Sequence, residues 1–292
     1  MPVEAIHVSA FCDSLAGSSV AGVLQTGAQR DLGRLGALVI DFPYFERFPL
    51  GVMRYLLKQP TAQSAWGDRL HKGTPVRGAV SMLTAAHALR ARGQAAEAER
   101  LLAFALGYVS HLAVDRSMHP LVNRMARERS SRLGGSPSHH HTEIEKFHSV
   151  LFHEQRLGFD FMGKPALRAH IEVDAHAIHR DATLWPAFAT ALELSTGVRT
   201  EPPLLAGWAR GYRQYVWLVS SPIGKRIVPD AIKEAVRAEL YVRTPYGDFV
   251  DAYAEAVQRS PEALEAALSF VESPGSSVDL ARVLPEGPID LD

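Results

Sequence analysis

The chain has 292 residues, an apolar fraction of 47%, a charged fraction of 22% and a formal net charge of −1, which are ordinary values for a soluble globular protein. The balanced charge gives no general electrostatic reason for binding polynucleotides or anionic membranes, and the single cysteine excludes a disulfide framework and any multi-cysteine metal site. The exception is the histidine content: there are 13 histidines, and several crowd between positions 111 and 153. The function is therefore expected to involve this segment.

Apolar residues recur at helical spacing along most of the chain, and strand-like alternation is nearly absent. The periodicity predicts helices over residues 10–28, 50–58, 75–92, 95–115, 142–157, 165–180, 184–195, 204–219 and 246–271. A loop rich in Gly, Ser and Pro is predicted at 130–138, and an irregular surface arm after residue 271. The sequence therefore predicts an all-α protein, with a single multi-helix domain over residues 1–271 and a C-terminal tail over residues 272–292.

No stretch of the sequence approaches the roughly 20 apolar residues that span a bilayer. The N-terminal segment contains the acidic residue Glu4 and has no Lys or Arg before Arg30, whereas a secretory signal combines a basic start with an apolar run. We therefore expect a cytoplasmic protein without stable membrane insertion.

The first histidine cluster is the segment HLAVDRSMHP, which begins at His111. His111 and Asp115 are four residues apart, so a helix places both side chains on one face, a spacing that suits shared metal ligation. Pro120 disfavours helical geometry at the residue before it, so His119 is expected to leave the helix axis at a bend. A hydrogen-bonded buried pair or a solvated helix face is the structural alternative. An aspartate within such an apolar helix is costly, however, unless it is paired or metal-bound.

The second cluster is the segment HHHTEIEKFHSVLFHE. His141 and Glu145 are again four residues apart, and His148 continues along the same side of the predicted helix. A histidine-rich surface loop or a polar helix face would also explain this segment, and His139 or His140 is an alternative to His141. Two imidazole–carboxylate pairs within 35 positions favour a metal site, because zinc accepts imidazole nitrogen and carboxylate oxygen in this combination.

Other catalytic motifs are absent from the sequence. The unit Glu145-x-x-His148 matches half of a di-iron carboxylate site but has no second copy, and His153-Glu154 lacks the second histidine of a zincin. There is no His-Asp dipeptide, no Gly-rich phosphate loop and no Gly-x-Ser-x-Gly elbow. The remaining candidates are metal sites that combine nitrogen and oxygen ligands on helices.

With these residues in view, the chain resembles the bacterial zinc-dependent phospholipase C family, whose relatives include the S1/P1-type nucleases. The family signature is a helical His-x-x-x-Asp, then a histidine near a proline-containing turn, then a later His-x-x-x-Glu. The matching residues are His111, Asp115, His119, His141 and Glu145. The resemblance extends from about residue 7 to residue 160, roughly half of the chain.

Three further positions upstream fit the same family. The family has an aspartate in a short turn and a histidine ahead of a long helix, and Asp41 and His71 resemble these residues. It also has a histidine ligand near the start of the chain, where His7 is the candidate.

The resemblance implies two to three zinc ions at one end of a helical bundle. One ion would be held by Asp41, His71, His111 and Asp115. A second would be held by His119, His141 and Glu145, and a third would share Asp115 and add His7. Secreted members complete the third ion with a processed N-terminal amine and an adjacent tryptophan carbonyl. This chain begins Met-Pro, so the number of ions stays open between two and three.

The function that the resemblance implies is a zinc-dependent phosphodiesterase of phospholipase C type, with Asp41 and Asp115 in the catalytic group. Bound zinc lowers the pKa of a water molecule toward 7 and stabilises charge on phosphoryl oxygens. Aromatic residues near the proposed ligands are candidates for contacting a headgroup or a base, although aromatics in helical domains are more often core: Phe42, Tyr44, Phe45 and Trp66. The expected partner is a phosphoester small molecule or a phospholipid headgroup, with no polynucleotide.

Two other functions remain open at this point. A single-strand nuclease or nucleotidase of S1/P1 type would use the same metals and would need a pocket in which a base stacks. A non-catalytic helical protein would retain the metals for stability or for binding. A structural zinc ion is normally fully ligated by protein, whereas a catalytic ion keeps an open position, so metal analysis separates the last alternative from the first two.

Overall fold

The computed structural model describes residues 3–227 and 248–287, apart from residues 17, 49, 51–64, 159, 274–276 and 285. Within these residues the chain is all-α, with no β-strand. Most of the helix predicted at 50–58 lies outside the described residues. In the described part of the chain, no helix is both long enough and apolar enough to cross a membrane.

Twelve α-helices have their bounds within the described residues. In chain order they are α1 (Val3–Ala16), α2 (Gly27–Leu38), α3 (Ala65–Lys72), α4 (Pro75–Ala91), α5 (Ala95–Leu133), α6 (Pro137–Leu157), α7 (Pro165–Ile171), α8 (Ala177–Arg180), α9 (Leu184–Thr196), α10 (Pro202–Val219), α11 (Phe249–Glu272) and α12 (Ser277–Val283). Short 3-10 segments cover Ser19–Gly22, Val39–Phe45 and Gly224–Ile227.

Helix α5 is the central element of the fold. It is 39 residues long, is almost continuously buried from Leu101 to Asp115, and packs against α2, α4, α6 and α11. The sequence predicted that this helix ends at 115 and that Pro120 bends the chain at His119. That prediction is wrong, because Pro120 lies inside a helix that continues to Leu133. The proline removes one backbone hydrogen bond, but burial of the residues that follow it, including Leu121 and Val122, keeps the segment helical.

Helices α2 and α5 cross at unusually short distance because glycines line their contact. A Cβ atom on Gly36 would lie 1.9 Å from the carbonyl oxygen of Phe104, and one on Gly107 would lie 1.8 Å from that of Gly33. Neither position therefore has room for a side chain. The close crossing brings the C-terminal end of α2, including the carbonyl of Ala37, against the histidine-bearing face of α5.

The N-terminal region differs from the helix predicted at 10–28. It contains α1, a short 3-10 segment and then α2, which begins after Thr26. Thr26 and Gln29 form a capping box, in which the threonine side chain accepts a hydrogen bond from the backbone N–H of Gln29 at 3.2 Å. This cap satisfies donors at the helix start and fixes where α2 begins.

Two other segments also depart from the predicted boundaries. The helix predicted at 165–180 is divided into α7 and α8. The C-terminal tail was expected to be irregular, but α12 forms within it and packs on α11, with Leu280 and Leu284 buried. Leu280 lies on α12 and Leu284 directly follows it, with its backbone N–H donating to the carbonyl of Leu280, so burial of these two residues fixes the helix against α11.

Candidate metal centre

All eight proposed ligands converge at one end of the bundle, although they come from five segments. Helix α1 supplies His7, the 3-10 segment after α2 supplies Asp41, and α3 supplies His71. The other five residues are His111, Asp115 and His119 from α5, and His141 and Glu145 from α6. Six of the eight are less than 8% exposed, and the remaining two, His141 and Glu145, are partly buried. Helical spacing of four residues places the α5 side chains on one face.

Asp115 lies at the centre of the arrangement and faces four imidazoles. Its Oδ2 atom is 2.9 Å from Nε2 of His111 and 3.7 Å from Nε2 of His71, and its Oδ1 atom is 3.4 Å from Nε2 of His7 and 3.6 Å from Nε2 of His119. The two oxygens of this carboxylate therefore point at different histidines, as a bridging ligand requires.

Asp41 closes the same group from the other side. Its Oδ1 atom is 3.4 Å from Nε2 of His71, and its Oδ2 atom is 3.8 Å from Nε2 of His7. The rings of His7 and His111 stack with centroids 3.8 Å apart. Potential ligand atoms of His7, His111 and Asp115 lie within 4.8 Å of one another, as do those of Asp41, His71 and His111.

The second group contains His119, His141 and Glu145. The Oε1 atom of Glu145 is 3.2 Å from Nε2 of His119 and 3.1 Å from Nε2 of His141. His119 also faces Asp115, so the second group lies directly beside the first. Because α5 continues as a helix through Pro120, His119 lies one turn beyond Asp115 on the same face and needs no bend to reach Glu145.

Hydrogen bonds at the far side of three rings orient their Nε2 atoms toward the carboxylates. Nδ1 of His111 donates to the backbone oxygen of Ala37 at 2.8 Å, and Nδ1 of His71 donates to that of Gly67 at 2.9 Å. Nδ1 of His141 donates to Oδ1 of Asn123 at 2.7 Å. An oxygen acceptor at Nδ1 leaves the lone pair of a neutral imidazole on Nε2, the atom that faces the carboxylates.

This chemistry fits zinc. Tetrahedral zinc with bonds of about 2.0–2.2 Å places its ligand atoms roughly 3.3–3.5 Å apart, and the closest nitrogen–oxygen distances at Glu145 and between His71 and Asp41 are 3.1–3.4 Å. The buried Oδ2 atom of Asp41 has no hydrogen-bond donor within the described residues, and Oδ2 of Asp115 faces Nε2 of His111 at 2.9 Å. A nitrogen lone pair that faces a carboxylate oxygen is unfavourable, and a bound metal ion or a proton between the two atoms relieves the repulsion.

The carboxylates of this centre are held in their charged form. Burial by itself would raise the pKa of Asp115, but the imidazoles of His111 and His119 outweigh it and hold that pKa well below its usual range. The same balance, with His141 and His119 opposing burial, keeps the pKa of Glu145 well below its usual range. All three carboxylates, Asp41 included, are therefore ionised at neutral pH and available as ligands.

The pKa values of His111 and His7 are shifted in opposite directions, because the two residues have different charged neighbours. Burial would lower the pKa of His111, but Asp115 and Asp41 raise it to about 9. For His7, burial and the adjacent His111 lower the pKa to about 4. In the metal-free chain a proton on His111 takes the place of a cation, so metal binding at this centre releases protons.

The four aromatic residues proposed to contact substrate fall into two groups. Phe42 and Phe45 are core residues, since they are 1–2% exposed and contact Tyr212, with Phe42 stacked on its ring at a centroid distance of 4.5 Å and Phe45 meeting it edge-on at 5.2 Å. Trp66 is partly buried and meets the core residue Trp208 edge-on, at a centroid distance of 5.8 Å. Tyr44 is different, because it is 45% exposed and its ring lies 5.6 Å from that of His71.

His148 lies outside the ligand groups although it is one turn beyond Glu145 on α6. Its ring is 1% exposed and lies 4.5 Å from that of Phe249, and neither ring nitrogen has a hydrogen-bond partner within the described residues. Burial lowers the pKa of His148 to about 3. The residue is therefore a neutral imidazole in an apolar environment, which is unfavourable for stability.

Replacing His148 with Phe is expected to make the metal-free protein less sensitive to acid. The unfolded chain takes up a proton at this position near pH 6.5 and the native chain only near pH 3, so wild-type stability is lost as the pH falls through this range. The free energy of unfolding of the variant should fall by about 2 kcal/mol less than that of wild type between pH 7 and pH 5. Urea unfolding of the zinc-free proteins at both pH values measures the difference, and an identical pH dependence would contradict the assignment.

Asn123 is a residue of the centre that the sequence analysis missed. It lies on α5 one turn beyond His119, and its side-chain oxygen accepts the hydrogen bond from His141. An asparagine in a helix gives no local signal of such a role, but its spacing of four from His119 places it on the metal-facing side. Partners of this kind fix the tautomer and ring orientation of a ligating histidine.

Replacing Asn123 with Leu is expected to weaken zinc binding at the second group by about 10–100-fold, because His141 loses the acceptor that orients it. Competition with a fluorescent chelator measures the affinity. Ser117→Ala is the matched control on the same helix, since among the described residues the Ser117 hydroxyl donates to the carbonyl of Ala113 and contacts none of the proposed ligands. Equal zinc affinities for the Asn123→Leu variant and wild type would contradict the positioning role.

Comparison with known proteins adds one finding. The sequence model of a family described as zinc-dependent phospholipase C matches residues 26–191, more than half of the chain. No curated protein and no solved structure matches the sequence of this chain. The matched span contains seven of the eight converging residues, and His7 lies before it.

Proposed function

The chain belongs to the zinc-dependent phospholipase C family, and from this premise we propose that it hydrolyses a phosphodiester bond of a phospholipid-type substrate with two to three zinc ions bound at the eight converging residues. The observation that carries the proposal is the position of Asp115. One buried carboxylate faces four imidazoles from three helices, which is the arrangement expected of a bridge between neighbouring ions.

The ligand sets rest on the resemblance to the family, and the short distances between their side chains support them. Asp41, His71, His111 and Asp115 would hold one ion, and His119, His141 and Glu145 would hold the second. The third set would be completed by His7 with Asp115. Zinc at these positions supplies a Lewis acid that lowers the pKa of water and stabilises negative charge on the phosphoryl group.

Asp41 is the residue we propose as the proton acceptor. Its Oδ2 atom has no hydrogen-bond donor within the described residues, and its pKa lies below the usual value, because nearby imidazoles outweigh the effect of burial. An ionised carboxylate with a free oxygen can orient a water molecule and take up its proton during attack on phosphorus. In hydrolysis of a phosphodiester, a phosphorus–oxygen bond forms to water, the bond to the alcohol breaks, and the alcohol leaves with a proton.

The proposal is tested with purified, zinc-loaded protein and three substrates: vesicles of phosphatidylcholine, bis(p-nitrophenyl) phosphate and a single-stranded oligonucleotide. We expect release of diacylglycerol and of p-nitrophenol, loss of both activities with a chelator, and recovery with added zinc. Cleavage of the oligonucleotide alone would replace the proposal with the nuclease alternative. No hydrolysis of any substrate by protein of verified zinc content would support a non-catalytic metal-binding protein.

A further inference from the structure

A cavity of about 210 Å³ lies between α5 and α11, and three arginines line it. Helix α5 contributes Arg116 and Arg124, and α11 contributes Arg259. We call it the arginine cavity. Among the described residues that line it, none is a proposed metal ligand. At about 30 Å³ per water molecule the cavity has room for roughly seven waters, so it can hold a tetrahedral anion that carries a short organic group.

The arginines of α5 lie on a different face of that helix from the metal ligands. Arg116 follows Asp115 directly, and Arg124 lies two turns further along the helix. With 3.6 residues per turn, the row of Arg116, Pro120 and Arg124 is rotated by about 100° from the row that carries Asp115 and His119. Pro120 lines the cavity between the two arginines. The cavity is therefore a separate site on the helix that also carries the metal ligands.

The acidic residues of the lining, Asp251 and Glu255, are engaged on their own helix. The carboxylate of Asp251 accepts the backbone N–H of Asp248 in the capping box at the start of α11. An oxygen of Glu255 lies 2.6 Å from a guanidinium nitrogen of Arg259, one turn further along. The negative charges of the lining are thus partly offset within α11, and the three guanidinium groups outnumber them.

The two arginines of α5 bring positive charge into a partly buried position. Burial lowers the pKa of Arg116, because its guanidinium loses hydration there. Since a guanidinium group nevertheless stays charged in a protein, a counter-ion bound beside it offsets the cost of desolvation. The size of the cavity and the charge of its lining therefore both favour a small anion.

We propose that the arginine cavity binds a phosphoryl dianion, either inorganic phosphate or a small phosphomonoester, at a site separate from the metal centre. Guanidinium groups form paired hydrogen bonds to phosphate oxygens. A tetrahedral phosphoryl group presents three oxygens to guanidinium groups from two helices, whereas a carboxylate presents two oxygens in one plane. Hydrolysis of a phosphodiester yields a phosphomonoester, so the proposed reaction would itself supply a ligand of this class.

The test measures equilibrium binding and does not depend on turnover. Zinc-loaded protein, dialysed free of excess metal, is titrated calorimetrically with inorganic phosphate, glycerol 3-phosphate and acetate. We expect saturable binding of both phosphates at a site additional to the zinc ions, and no such binding of acetate. Tighter binding of glycerol 3-phosphate would identify the ligand as an organic phosphomonoester, and tighter binding of inorganic phosphate would identify it as the free ion.

Single substitutions assign that binding to the arginine cavity. Arg116→Gln and Arg124→Gln should each weaken it at least about tenfold, because each removes charge-assisted hydrogen bonds. Arg127→Gln is the matched control, since Arg127 is exposed on the same helix and does not line the cavity, and its affinity should stay within about twofold of wild type. Arg124→Lys keeps the charge without the paired donors, so it should show an intermediate loss even if a Gln variant fails to fold.

The position of the anion is determined with crystals of the zinc-loaded protein soaked in tungstate, a tetrahedral dianion whose anomalous signal locates each bound copy. A tungsten peak within hydrogen-bond distance of Arg116 and Arg124 supports the proposal even when no phosphodiester is hydrolysed. Tungsten at the zinc ions alone would overturn it even when the enzyme is active. Equal weakening of phosphate binding in Arg124→Gln and Arg127→Gln would overturn it as well.

Discussion

Replacing Asp115 with Asn is expected to lower phosphodiester hydrolysis by several orders of magnitude and to weaken zinc binding at both ligand groups together. The carboxylate faces His7 and His119 with one oxygen and His71 and His111 with the other. An amide keeps the shape but removes the negative charge and replaces one acceptor with a donor. Water activation and stabilisation of the phosphoryl charge both depend on the ions that this residue would bridge.

Glu145→Gln is the matched control for Asp115→Asn. In the described part of the chain, Glu145 pairs with His119 and His141, so its loss should weaken the second ion and leave the first in place. Both variants should remain helical, since such an exchange changes helix propensity by only a few tenths of a kcal/mol. Elemental analysis, steady-state kinetics and far-UV circular dichroism give the three readouts. Unchanged zinc content and turnover in Asp115→Asn would show that Asp115 is not a bridging ligand.

Removing the metal with a chelator is expected to abolish hydrolysis and to lower the melting temperature substantially. The eight converging residues come from helices or segments distant in sequence, so an ion that binds only the native chain stabilises it by mass action. At a free zinc concentration one thousand times the dissociation constant, each ion contributes about 4 kcal/mol. In the metal-free state the carboxylates of the centre are balanced by protons on histidines instead, since Asp115 and Asp41 outweigh burial and raise the pKa values of both His111 and His71.

The double variant Asp115→Asn with Glu145→Gln controls for effects of the chelator itself. Because it lacks a carboxylate in each ligand group, its melting temperature should respond little to chelator or to added zinc. Differential scanning calorimetry of both proteins, with zinc restored at the end, makes the comparison. A wild-type melting temperature that is the same with chelator and with zinc would contradict metal-linked stability.

The parts of the centre that follow from local spacing could be predicted from the sequence. His111 with Asp115 and His141 with Glu145 each share a helix face because of the 3.6-residue period, and the structure places both pairs at one site. The predicted bend at His119 is wrong, because burial along α5 outweighs the conformational preference of the residue before Pro120 and keeps the helix continuous. Helix propensities are weak compared with packing of this kind.

The parts that depend on contacts between distant segments could not be predicted in the same way. The role of Asn123 depends on the packing of α6 against α5, and the arginine cavity depends on how α11 packs on α5. In neither case do neighbours in sequence signal the role of the residues. The same reason explains why Phe42 and Phe45, which stand beside Asp41 in the sequence, lie in the core rather than at the site.

The most direct measurement for the central claim is a crystal structure of the zinc-loaded protein with diffraction data collected on both sides of the zinc absorption edge. The account predicts two or three anomalous peaks that appear only above the edge. One should lie about 2.0–2.2 Å from Nε2 of His111 and an oxygen of Asp115, and another at the same distance from Nε2 of His141 and an oxygen of Glu145. Well-ordered side chains at these positions without any zinc peak would contradict the metal centre on which the proposed function depends.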